Sequence, residues 1–546
     1  MSTLRARVAY ALLAALPVAV LTVFFLYPVA GMIGRGFWSG GSFAPDQVAE
    51  VFGRTIVQQA LWFTLWSAAA GTAGSVVLGV PVAWALHRLR FPGRDAVRAL
   101  VMVPFVLPTV VVGVAFRQLL AASGPLGFLH LDGTAAAIVV AMVFFNVAVV
   151  VRTVGSFWAG LDPRQAQAAA ALGASPLAVF RTVTLPALLP GIASAASVVF
   201  LFCATAFGVV LVMGGLHYSN VETEIYLLTT QELDLTGAAA LSVLQLVVIT
   251  LLLALSARAH RDAPPAVRGE DRQRRPRLRD LGALVWTLAV LAFLMAPVAD
   301  LVLASLRVGG AWGLANYRAL GSTGQGYALL VPALVGLRNS LVIALGATTM
   351  SLLLGALVAF LVSRRPRGRA ARRLVGLFDG AFMLPLGVSA VTLGFGFLIT
   401  LDHPPIDLRT SPALIPIAQA MVALPLVVRT VAPVLRSVDP RQRQAAASLG
   451  AGPLRVLLAV DLPHAWRALL AATGFAFAVS LGEFGATSFL ARSDNPTLPV
   501  VIYQLIGHPG AANFGMAMAA SVLLAAATTG VMLAVERLRV GSMGAF

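Results

Sequence analysis

The sequence predicts an all-α polytopic membrane protein with about twelve transmembrane helices, arranged as two six-helix repeats that enter the membrane in the same sense. Three observations carry that prediction. The 546 residues are 59% hydrophobic and only 11% charged, too apolar for a water-soluble chain of this length. Twelve apolar stretches are long enough to cross a bilayer. A long segment of the first half recurs in the second.

A bilayer core of roughly 30 Å needs about 20 helical residues. The first six stretches lie near 8–33, 60–86, 99–120, 135–154, 188–213 and 238–255, and the second six near 281–303, 341–362, 374–399, 413–435, 468–490 and 516–535. The first is longer than a signal-peptide core and has no convincing cleavage site, so it reads as a retained helix. Three domains follow: a first half over 1–257, an Arg-rich linker over 258–279 and a second half over 280–546.

The formal net charge of +17 does not point to nucleic acid. All 39 basic residues are arginine and fall in short clusters between apolar runs, which is the pattern of topological signals. One set of loops holds Arg88, Arg90, Arg94 and Arg98; then Arg164 and Arg181; then the cluster from Arg364 to Arg373; then Arg436, Arg441, Arg443, Arg455 and Arg467. By the positive-inside rule these loops face the cytoplasm, and both termini with them. The opposite loops, around Glu222 to Asp234 and Asp494 to His508, are expected outside. Cys203, the lone cysteine, excludes an intrachain disulfide. No metal-ligand cluster or nucleophile–base pair stands out, so the chain is not expected to be an enzyme or to bind metal.

The repeat is the strongest signal. At an offset of 277, residues 150–186 align without gaps to 427–463, with 22 of 37 positions identical. Its best-matched part is a cytoplasmic loop, in chains where loops ordinarily diverge faster than packed elements. The loop over 160–187 carries Asp162-Pro163, Gln167-Ala168-Ala169, Gly173 and Leu185-Pro186; the loop over 437–464 carries Asp439-Pro440, Gln444-Ala445-Ala446, Gly450 and Leu462-Pro463. Asp followed by Pro starts a helix, alanines sustain it, and glycine ends it through a left-handed turn. The spacing predicts two short helices joined at a glycine.

These residues resemble the signature of type I ATP-binding-cassette importer permeases, Glu-Ala-Ala, three residues, Gly, nine residues, Ile, any residue, Leu-Pro. Gln167 and Gln444 stand in place of Glu, and Val183 and Val460 in place of Ile. The resemblance implies that both loops are coupling helices docking on a cytoplasmic ABC ATPase, that an extracytoplasmic solute-binding protein delivers substrate, and that alternating access moves it. No lysine exists to build a phosphate-binding loop. ATP and Mg therefore belong on the partner, expected as a homodimer because the two loops are nearly alike. Fused halves resemble the ferric-iron and thiamine class, including its thiamine phosphates, and the stretches 143–146, 214–215 and 498–504 resemble the thiamine permeases. Glu483 and Asn146 are polar positions expected within the membrane and are candidates for the substrate pathway. A secondary transporter driven by ion gradients is the competing reading.

Overall fold

The protein is described from a computed structural model, covering residues 3–39, 42–215, 217–261, 273–364, 368–403, 406–408 and 411–540. Aliphatic runs free of charge form helices because, in lipid, every backbone N–H and C=O must find its partner within the segment. Ten helices among the described residues are long and apolar enough to span: Ala11–Phe37, Thr55–Arg88, Ala135–Ala159, Pro176–Ala204, Leu235–Leu252, Leu281–Ser305, Ala333–Ser363, Leu414–Ser437, Leu454–Leu481 and Ala511–Val535. Their outer faces carry unburied apolar side chains such as Leu12, Leu16, Trp62, Leu345 and Leu353, as expected where lipid is the solvent.

The two remaining expected spans are broken. Stretch 99–120 is a pair of helices, Arg94–Val106 and Thr109–Leu120, bent at 101° to each other, and it raises the number of spans to eleven if counted as one. The break is local chemistry: Pro108 excludes the helical region for Leu107, which is extended at ψ 135°. Stretch 374–399 divides at the equivalent Leu-Pro into Arg369–Met383, a 3-10 turn over Leu384–Gly387, and Ala390–Thr400. Ser389 caps the last of these by accepting from the Thr392 N–H at 3.0 Å. Expected stretches 188–213 and 468–490 are interrupted as well. A short helix over Gly208–Met213 follows the fifth span, and one over Thr487–Leu490 follows its repeat equivalent.

Contacts divide the chain into two compact units that cut across the sequence repeat. One contains the described parts of Met1–Ala49, Ile225–Leu246 and Tyr317–Phe546; the other contains Glu50–Glu224 and the described parts of Val247–Asn316. In the first unit the N-terminal span is built into a core formed by the second repeat. Leu21 and Phe25 are buried with Phe382, Phe397, Met421 and Val427, and the Phe24 and Phe397 rings lie 6.0 Å apart. In the second unit the span Leu281–Ser305 packs on first-repeat helices, with Phe293 6.2 Å from Phe144 and the Trp286 Nε1–H donating to the Leu78 carbonyl at 3.3 Å. Repeat boundaries at 257 and 280 thus describe the sequence, and the contact units follow a different partition.

Each unit reuses one close helix crossing. A Cβ at Gly79 would fall 2.8 Å from that of Val150, and a Cβ at Gly355 would fall 2.8 Å from that of Val427. Small residues at both sites let the backbones approach, which is how helices gain dispersion energy in a solvent that supplies no hydrophobic drive. Within the expected linker, residues 262–272 lie outside the described residues. The stretch after them is anchored: the Arg90 N–H donates to the Arg274 carbonyl at 2.9 Å, and Arg274 grips Asp280 through both terminal nitrogens, one of them at 2.7 Å. That carboxylate pushes the Arg274 guanidinium above its usual pKa.

Candidate functional site

The two signature loops fold into one motif built twice. In the first, helix Pro163–Ala171 starts at Asp162, whose Oδ1 accepts from the Arg164 N–H at 2.9 Å. It ends at Gly173, where φ is +88°. There the Gly173 N–H donates to the Ala170 carbonyl at 3.0 Å and the Ala174 N–H to the Ala169 carbonyl at 3.1 Å, the paired bonds of a Schellman cap. The second loop repeats this closely. Helix Pro440–Ser448 starts at Asp439, which accepts from the Arg441 N–H at 2.9 Å, and ends at Gly450 with φ +84° and cap bonds to the Ala447 and Ala446 carbonyls, both 3.0 Å. After each glycine a short helix begins at Pro176 or Pro453. A five-residue π-helical segment, Phe180–Thr184 or Leu457–Asp461, then leads into the next span at Leu185-Pro186 or Leu462-Pro463.

No residue of either short helix is buried, and Gln167, Gln444, Ala168 and Ala445 are exposed. The most telling side chains are ones that motif reading passes over. Leu172 and Leu449, immediately before the two glycines, are each 90% exposed. Leu177 and Leu454, in the following turn, are exposed too. An apolar tip held out by a well-capped helix suits an apolar groove on another protein. Its signal was present in the sequence as the duplicated Leu-Gly pair.

What holds the base of each motif differs. In the second loop, Asp461 is fully buried and binds two arginines: its Oδ1 accepts from Arg443 Nε at 2.6 Å and its Oδ2 from Arg364 Nη2 at 2.7 Å. Arg443, on the exposed helix, also donates from Nη2 to the Leu435 carbonyl at 2.8 Å. Arg364, which caps the span Ala333–Ser363, lies with its guanidinium carbon 4.2 Å over the Phe360 ring. A second ion pair, Arg436 to Asp379 at 2.9 Å, ties the end of Leu414–Ser437 to Arg369–Met383. At the repeat offset of 277, Thr184 and Ala166 stand where the second loop has Asp461 and Arg443.

The pathway candidates fall in different units. Asn146 is buried and donates to the Met142 carbonyl at 2.9 Å and to Cys203 Sγ at 3.3 Å. Glu483 is buried, and its two carboxylate oxygens accept from the Ala486 N–H at 2.7 Å and the Thr487 N–H at 3.1 Å. It serves the start of helix Thr487–Leu490, so both oxygens are already engaged by backbone. Beside it lies an aromatic cluster. Phe484 is 5.6 Å from Tyr503, Tyr503 is 6.4 Å from Tyr226, and Tyr226 is 5.5 Å from Phe489. Tyr226 and Tyr503 are repeat equivalents, and both are half-buried.

The two segments expected on the outer side, around Glu222 to Asp234 and Asp494 to His508, each contain a largely buried helix. Val221–Thr230 and Leu498–Gly507 are both helical, and Glu222 and Glu224 are fully buried, while Glu232 beyond the helix is exposed. Val221, Ile225 and Leu228, at helical spacing, are buried along the first of these helices.

Comparison with known proteins places this geometry. Residues 75–262 and 351–539 each match the family described as binding-protein-dependent transport system inner membrane component. The thiamine transport system permease protein ThiP of Brucella suis biovar 1 (strain 1330) is 27% identical over 465 residues, covering 82% of this chain and 81% of its own. That of Escherichia coli (strain K12) is 28% identical over 465 residues, covering 82% and 83%. A probable ABC transporter permease protein, y4fN of Sinorhizobium fredii (strain NBRC 101917 / NGR234), is 27% identical over 562 residues, covering 96% and 95%.

Proposed function

The chain belongs to the family of binding-protein-dependent transport system inner membrane components, multi-pass permease subunits of ABC importers and not enzymes, and we propose that the solute it moves is thiamine or a thiamine phosphate. The observation that carries this reading is the match to thiamine permeases across both repeats, over 82% of the chain. The aromatic cluster is in keeping with it: thiamine is a flat cationic heteroaromatic, and Tyr226, Tyr503 and Phe489 are half-buried rings packed edge-to-face on one another, a residue type that can receive a cation. Glu483, already committed to its own backbone, is a scaffold for that cluster rather than the counter-charge. The ferric-iron expectation draws no separate support from these relatives, and neither does a gradient-driven carrier.

In this reading Leu172 and Leu449 insert into grooves of a cytoplasmic ATPase, a homodimer because the tips are alike, and both chain termini share that side. An extracytoplasmic binding protein hands over the solute. ATP-driven closure of the ATPase pair moves the docking helices, and each displaces the spans at its base in an alternating-access cycle.

The test is reconstitution of the permease with its ATPase and binding protein, reading ATP hydrolysis and solute uptake with thiamine, thiamine phosphate and ferric iron. Several-fold stimulation by thiamine or its phosphate is the expected result. Stimulation by ferric iron alone would overturn the substrate, and failure of any ATPase to associate would overturn the importer mechanism.

A further inference from the structure

Building on the reading of the two loops as ATPase-docking elements, we propose that they transmit force unequally: Asp461, Arg443 and Arg364 lock the second docking helix to its spans as a rigid arm, while the first is a compliant one.

The argument starts from what the buried carboxylate joins. Asp461 sits where the π-helical segment enters the span Leu462–Leu481. Through Arg443 it holds the exposed helix Pro440–Ser448, and through Arg364 it holds the C-terminal end of Ala333–Ser363. Arg443 adds the end of Leu414–Ser437 through the Leu435 carbonyl. One carboxylate therefore fixes the docking helix to three spans at once. Because Asp461 is fully buried between Arg443 and Arg364, a displacement of the helix that opens either pair leaves a buried polar partner unmatched and is penalised steeply. The guanidinium fork makes the lock directional, since Arg443 uses Nε for the carboxylate and Nη2 for the carbonyl.

The first loop cannot be held this way. Ala166 offers no donor and Thr184 no charge, although the capped helix, the left-handed glycine and the exposed leucine are the same. Duplication has kept the docking tip alike and left the root different. Asp461, Arg443 and Arg364 are positioning residues: they touch neither nucleotide nor solute, and act by setting how far the second docking helix moves before its spans follow.

Two measurements test this. The double variant Arg443→Ala/Asp461→Thr installs the residues that the first loop already carries, so its side chains are ones this motif accommodates. In the full reconstituted importer it should lower solute transported per ATP hydrolysed about tenfold, with basal ATP hydrolysis within about twofold of the parent. Arg443→Lys, which keeps the charge but loses the fork, should fall between. The second measurement uses a Cys203→Ser background with single spin labels at Arg164→Cys or Arg441→Cys, equivalent exposed positions, in the full permease in nanodiscs. The label at 441 should be the less mobile, and the double variant should bring it to the mobility seen at 164. Equal mobility of the two labels in the parent, or an unchanged transport-to-hydrolysis ratio in the double variant, overturns the proposal. So does failure of the double variant to assemble with the ATPase, which would make the cluster a folding element. If the unmodified chain binds no ATPase, it is the importer reading that fails, and the two failures are told apart by that control.

Discussion

The exposed helices Pro163–Ala171 and Pro440–Ser448 share their caps and their protruding leucines and differ at their roots. Both begin at an aspartate cap, end at a glycine with φ near +88° or +84°, and hold out a leucine that is 90% exposed. The second is bolted down by Asp461, a buried carboxylate between two arginines, where the first carries Thr184. On the proposed reading the contrast separates two demands on a mechanical coupler: recognition of a partner would act at the tip, where the copies are alike, and transmission at the root, where they differ.

The largest effect that would probe this contrast lies at the tips. Burying one of these leucines in a groove is worth about 2 kcal/mol, which is about 30-fold in affinity. Leu172→Ala and Leu449→Ala should each weaken ATPase binding by that factor and together by about 1000-fold, measured by titrating ATPase onto the permease in nanodiscs. If one single variant carries nearly the whole loss, the tips are not equivalent and the comparison must be redrawn. The glycines come next. A β-branched side chain at a left-handed backbone position is strained by about 1–2 kcal/mol, so Gly173→Val and Gly450→Val should cut uptake to about a tenth while the chain still inserts. Uptake at the parent's rate in the Gly173→Val/Gly450→Val double variant would show that the turn is dispensable. The caps give the smallest effect: Asp162→Ala or Asp439→Ala loses one backbone partner, about 1 kcal/mol of helix stability. The loss should slow transport more at 162, where Ala166 and Thr184 replace the Arg443–Asp461 pair at the root, than at 439; the reverse order would count against a compliant first arm.

How much of this could be read from residues alone depends on how far apart the partners are in sequence. The helix–glycine–helix motif was legible because it is local: Asp-Pro, a run of alanines and Leu-Gly dictate start, body and stop within twelve positions, and the repeat displayed them twice. Spans were legible wherever apolarity runs on without a break. Hydropathy gave no warning at Leu107-Pro108 or Leu384-Pro385, because the chain turns there without becoming polar. The lock on Asp461 was hidden for a different reason. Arg364 is 97 residues from it, and arginine at the end of an apolar span already has a sufficient explanation as a topological anchor. Glu483 drew notice as an intramembrane charge, yet what its oxygens bind is backbone three and four residues away, a detail composition does not carry.

The partition of the compact units bears on how the molecule is made. The N-terminal span packs against helices near Phe397 and Met421, and a ribosome adding about 5–20 residues per second reaches those positions roughly 20 to 80 s after the span emerges. For that interval the face carrying Leu21 and Phe25 lies without its final partners, while Gly36 already has Ala239 and Ala240 of the first repeat to pack on, so the unit that holds this span closes only when the second repeat arrives.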